Sequence, residues 1–180
     1  MSKITKSKIK KLVLPLIFLA ILSGCAAAPA NKQAMIVNPT ATINENQKGK
    51  FVVNAVSGGK ATNPFWTSQV SNENFEAALK ESLTLSGYSS ADSSASKYKI
   101  DAELVSLKQP VFGLTFDVVS TVNYKVYGEG FDKVFPIVAT GTATTSDAFV
   151  AITRLKIANE KSIQENIKEF IKQLSSSDIK

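Results

Sequence analysis

YKIDAEL, residues 98–104, places Tyr98, Ile100, Ala102 and Leu104 in strict alternation with Lys99, Asp101 and Glu103. A period of two turns every apolar side chain to one face and every charge to the other, which is the pattern of a strand buried on one side only. The rest of the fold follows from what can lie beside such a strand. Downstream, Phe116, Val118, Ser120, Val122, Tyr124 and Val126 repeat the alternation after a turn over Gln109–Gly113, and Gly128 and Gly130 bracket the next turn. Val134–Thr144 reads as the last strand, and Pro136 puts it at an edge or starts it late, because proline cannot donate to a ladder. Upstream, Phe51–Val56 is a β-prone run closed by Gly58–Gly59.

Two segments carry helical spacing instead. Ser71 is placed as a cap, Val70 and Phe75 match a hydrophobic staple, and Phe75, Ala78, Leu79, Ser82 and Leu83 share one face before Gly87 ends the run. Asp147–Leu174 reads as a long helix capped by Asp147, with a stripe of Ile152, Leu155, Ile163, Ile167, Phe170 and Leu174. The order β-α-β-β-β-α predicts an α+β two-layer sandwich over residues 51–175: a four-stranded, mostly antiparallel sheet with two helices on one face and the other face uncovered. Residues 176–180 are expected to form a C-terminal tail.

The amino-terminal segment has a different logic. Lys3, Lys6, Lys8, Lys10 and Lys11 precede an unbroken apolar stretch, Leu12–Leu22, and small residues then lead to Cys25. This is the layout of a secretory signal. A helix of that stretch is about 17 Å long, too short for a hydrocarbon core of about 30 Å. At Leu22-Ser23-Gly24-Cys25 the sequence resembles the lipobox of bacterial lipoproteins. The resemblance implies that residues 1–24 are removed and that the Cys25 sulfur carries a diacylglycerol. One acyl chain holds a protein only marginally and two hold it stably, so such a Cys25 anchors the chain to a membrane. Residues 25–50, rich in Ala, Asn, Pro, Thr and Lys, are expected to form a lipidated tether spanning about 25–30 Å, with Met35–Val37 fitting either that tether or a short edge strand.

Composition excludes several functions. Cys25 is the sole cysteine and there is no histidine, so neither a cysteine–imidazole nucleophile nor a zinc site can be assembled, and no cofactor is expected. Five of the 21 basic residues and none of the 15 acidic ones precede Cys25, leaving 16 against 15 in the mature chain. With Arg154 the lone arginine, no nucleic-acid partner is expected.

The candidate sites are few. Phe65 and Trp66, in the proline-turn loop TNPFWTS, fit either a partner-binding anchor or a lid folded over the core end. Arg154 with Glu160 fits a partner contact or a plain surface pair. Lys99, Asp101 and Glu103, facing Asp117, Thr121 and Lys125, read as cross-strand ion pairs on a solvated face rather than as acid and base. The run Thr140–Thr145 suits a half-solvated strand or an edge open to strand addition.

Taken with GGKATNPFWTS, NENFEAALKESL, QPVFG and SDAFVAITRLKIANEKSIQENI, the chain resembles small Gram-negative envelope lipoproteins of unassigned function. At the level of fold it is similar to YajG-like lipoproteins and to those assisting lipopolysaccharide assembly or ABC-type lipid transport. The resemblance implies a lipid-anchored, periplasm-facing binding or accessory module that engages an envelope protein or a lipid-linked component. Ala26, where an acidic residue marks inner-membrane retention, implies the outer membrane. An envelope enzyme such as an acyltransferase is disfavoured without histidine, and a purely structural envelope protein is the third reading.

Overall fold

A computed structural model describes residues 27–39, 43–63, 67–89 and 96–179. Its sheet has four strands in the order β1 (Phe51–Ser57), β2 (Tyr98–Lys108), β3 (Phe116–Gly128) and β4 (Phe131–Ala143). Among the described residues three α-helices accompany them: α1 (Lys32–Met35), α2 (Asn72–Leu85) and α3 (Ala151–Ser175). The chain is an α+β two-layer sandwich, with α2 and α3 on one face of the sheet. β1 and β2 are parallel, Phe51 beside Tyr98 and Val53 beside Ile100, because α2 carries the chain back between them. β2, β3 and β4 follow as antiparallel hairpins.

The alternation of residues 98–104 is the one that packs. Tyr98, Ile100, Ala102 and Leu104 are buried, as are Phe116, Val118, Ser120, Val122, Tyr124 and Val126 on β3. Ser71 caps α2, its side chain accepting from Asn74 N at 3.3 Å, and the helix buries the expected face from Phe75 to Leu83. On α3 the ring of Phe170 stacks on Tyr124 with centroids 4.0 Å apart, joining helix to sheet at the centre of the core.

Several expectations change. Of the segment 25–50 read as a tether, the part from Ala27 to Val37 is folded: Ala30, Met35 and Val37 are buried in the main core. Asn31 caps α1, so Met35–Val37 end a helical turn and add no edge strand. This strap is fixed across both long helices by Val37 N donating to Ser82 Oγ at 2.9 Å and Asn31 N donating to Glu160 Oε1 at 2.7 Å. The tail also folds back, with Ile179 buried and Ser177 O accepting from Gln47 Nε2 at 3.0 Å. β4 starts at Phe131, so Pro136 lies inside it, tolerated because β4 is an edge strand.

The last helix differs at its start. α3 begins at Ala151, with Val150 as its cap position, and Asp147 caps no helix. It clamps a turn instead, accepting from Thr144 N at 2.7 Å and from Lys161 Nζ at 2.8 Å. The Lys161 ammonium and then the Thr144 donors hold the Asp147 carboxyl down from 3.8 to about 2. Because the folded value is the lower one, the clamp contributes its stability above the unfolded pKa and loses it as pH falls through the folded value. An NMR titration of the Asp147 carboxyl is expected to show a midpoint of about 2, returning toward 3.8 in Lys161→Ala.

Candidate functional site

Strand direction gathers the irregular segments at one end of the sandwich. β1 and β2 finish there, β3 starts there, and β4 finishes there before leading into α3. Segments 58–63, 67–71, 109–115 and 144–150 therefore lie together, and the first described residues join them. Ser68 Oγ donates to Ala28 O at 2.8 Å, and Ala30 N donates to Gln69 O at 3.0 Å. Behind the loops lies a polar hub: Ser68 O accepts from Gln109 Nε2 at 2.8 Å and from Asn159 Nδ2 at 3.0 Å, while Gln109 Nε2 also donates to Asn159 Oδ1 at 2.8 Å. The hub ties the strap, the β1–α2 loop, the end of β2 and α3 to one another.

Arg154 ties the two remaining loops. Its Nη1 donates to Ala148 O at 2.9 Å and Phe149 O at 3.1 Å, its Nη2 donates to Gly113 O at 3.0 Å, and its guanidinium lies 4.7 Å over the Phe116 ring. The planar fork suits this division, since one head reaches carbonyls on two separate segments. Arg154 is 3% exposed and Glu160 5%, and the two do not pair, which corrects their reading as a surface pair. Glu160 accepts from Asn31 N and holds Lys156 Nζ at 2.8 Å.

Outward of Arg154 the two loops present Val111, Phe112 and Leu114 beside Phe149 and Val150, all exposed. By sequence QPVFG is an ordinary turn and Phe149 falls inside a helix. The signal for a surface patch was an apolar triplet in a glycine turn and a Phe-Val pair ahead of the helix, where polar residues are the rule.

The uncovered sheet face is the second surface. Its charges do not pair as expected: Asp101 Oδ1 accepts from Asn54 Nδ2 at 2.7 Å, Lys125 reaches Asp132 on β4 at 3.3 Å, and Asp117 Oδ1 accepts from Thr142 Oγ1 at 2.6 Å. Between them Val105, Val134 and Val138 stand exposed. A shallow open groove of about 400 Å³ crosses this face, lined by Asp101, Glu103, Asn123, Lys125 and Val134 among others. Thr140 and Thr142 are exposed on the same face of edge strand β4.

Among the described residues no three potential ligands converge to hold a metal ion, and no helix is long and apolar enough to cross a membrane. Cys25, with Leu22, Ser23 and Gly24, lies outside the described residues, as do Phe65 and Trp66. The residues flanking the Pro64–Trp66 stretch, Asn63 and Thr67, belong to the loop end just described, Thr67 N donating to Asn63 O at 3.2 Å.

These features define a two-layer α+β sandwich with one dressed and one bare sheet face, and comparison with solved proteins finds a likeness in fold. Protein XCC0632 from Xanthomonas campestris, of family DUF330, superposes with a TM-score of 0.52 at 12% identity over 78% of this chain and 95% of that one. At that identity the likeness is one of fold. A candidate lipoprotein from Caulobacter crescentus scores 0.43 at 13% identity, over 57% of this chain and 78% of its own. Hypothetical protein CT253 from Chlamydia trachomatis scores 0.43 at 10% identity, over 69% and 97%. No protein-family model and no curated protein matches the sequence.

Proposed function

We propose that this chain is a lipid-anchored, periplasm-facing accessory protein of the cell envelope that works by binding rather than by catalysis. The observation that carries the reading is Leu22-Ser23-Gly24-Cys25 at the end of a basic and then apolar leader. The resemblance to small envelope lipoproteins, including the YajG-like group, points the same way, and Ala26 favours the outer membrane. The bare sheet face, with Val105, Val134 and Val138 among its charges, is the surface offered to an envelope protein or a lipid-linked component.

The test is metabolic labelling with palmitate in a Gram-negative host, followed by membrane fractionation. The wild-type chain is expected to take up label and to sediment with outer membrane, and Cys25→Ser to take up none. An intact amino terminus with an unmodified thiol in the mass spectrum sinks the reading. Photocrosslinkers at Val105, Val134 and Val138 test the binding half, and the absence of a discrete adduct from all three counts against it.

A further inference from the structure

We infer that the end of the molecule bearing Val111, Phe112, Leu114, Phe149 and Val150 is seated in the interfacial layer of the bilayer that holds Cys25, an inference that rests on the lipid-anchor reading. Val111 is 92% exposed, Phe112 86%, Leu114 76% and Phe149 91%. Side chains of this size gain from leaving water, and two separate loops presenting them at one end form a patch rather than scattered exposures. The patch is also rigidly held, because buried Arg154 fixes Gly113 and Phe149 through their carbonyls. Neither Pro110–Thr115 nor Ala148–Thr153 contains a charged residue, so the tips can enter the acyl boundary without desolvating an ion.

The chain outside the described residues says which surface covers the patch. Ala28 is bonded to Ser68, Ser68 to Gln109, and Gln109 lies two residues before Val111. Cys25 lies only three residues before Ala28, and three residues span at most about 10 Å. The acylated sulfur is therefore leashed to the end that carries the apolar tips. With the strap folded, no long slack segment holds the body away from the lipid. Two acyl chains and the five side chains then act at the same surface, the multiple-signal arrangement that makes peripheral attachment stable.

The experiment uses the mature lipidated protein reconstituted into phosphatidylethanolamine–phosphatidylglycerol vesicles. Acylation occupies the native thiol, so Phe112→Cys, Phe149→Cys and, at the opposite end, Ser176→Cys each accept a single environment-sensitive fluorophore. Labels at positions 112 and 149 are expected to be quenched several-fold more by nitroxide-bearing lipids than by aqueous iodide, with the reverse at 176. Iodide quenching at 112 and 149 equal to that at 176 overturns the seating. So does disulfide coupling between two unlabelled copies of the Phe112→Cys variant at high dilution of protein in lipid, which assigns the patch to a second copy. Mass spectrometry of the same samples reads the anchor independently: missing acyl chains defeat the anchor, whereas an acylated Cys25 with iodide-accessible tips defeats the seating alone.

Discussion

Gly141→Ala is expected to cost more than about 3 kcal/mol, and so to lower the thermal midpoint by about 10 °C or prevent folding. Gly141 sits on the inner face of β4 where α3 lies backbone to backbone against the sheet. A Cβ there meets Ser162 N and Ala158 O well inside van der Waals contact, with the Lys161 carbonyl carbon at 2.7 Å. These are main-chain atoms of a helix, so no rotamer change relieves them, and α3 must lift as a body. Lifting it also breaks the bonds made across the seam: Ser162 Oγ donating to Ala139 O and Ser120 Oγ donating to Ser162 O, both at 3.2 Å. Circular dichroism melts of Gly141→Ala and Thr140→Ala, one residue away on the exposed face, make the comparison. The second is expected to stay within about 0.5 kcal/mol of wild type, and equal melts refute the close-approach account.

Asn166→Ala is expected to destabilise by about 3 kcal/mol, the sum of its lost bonds and the buried groups left unpaired. Asn166 is fully buried on α3 and joins three elements: its Oδ1 accepts from Tyr124 Oη at 3.0 Å, and its Nδ2 donates to Ser120 O at 3.3 Å, Ser120 Oγ at 3.1 Å and Ile137 O at 3.2 Å. Burial pushes the Tyr124 hydroxyl well above the ordinary phenol range, so it is a donor at every physiological pH and needs an acceptor. Tyr124→Phe removes that need. Urea titrations of the two single variants and the double variant are expected to show the double costing about 1 kcal/mol less than the sum. Strict additivity defeats the claim that the two side chains act as one network.

The strands and helices were legible where one periodicity had one cause. Tyr98–Leu104 alternates because that strand meets the core on one side and water on the other, and Ser71 with Phe75 announces α2 by a cap and a staple that need only local chain. The polar residues of α3 gave the opposite signal. Arg154 and Glu160 fit a surface pair by sequence, and Asn159, Ser162 and Asn166 carry no apolar signal, yet all five are buried. Partners distant in sequence bury them: Asn31 meets Glu160, Ser68 meets Asn159, Ser120 meets Ser162 and Asn166, and Gly113 meets Arg154. Hydrophobicity alone cannot register a polar side chain whose hydrogen bonds are satisfied inside.

The strap failed to show for a related reason. Ala27–Val37 has large apolar side chains only at Met35, Ile36 and Val37, too few to build a core, but a segment that packs on α2 and α3 needs only Ala30, Met35 and Val37. Its docking places Ala28 against Ser68 at the loop end, so the described chain starts beside the loops and not at the far end of a long leash.

By itself, then, the sequence determined the alternating strands, the two amphipathic helices and the single buried sheet face, and it supplied the basic and apolar pattern before Cys25 on which the anchor proposal rests, since each is written in residues close together along the chain. Only the tertiary structure decided that the strap closes over α3, that Arg154 binds two loops, and that the exposed aromatic tips share an end with the emerging amino terminus. Those facts depend on where chain crossings bring residues 28, 68, 109, 113 and 154, and such meetings are set by packing the whole sandwich at once rather than by any local pattern.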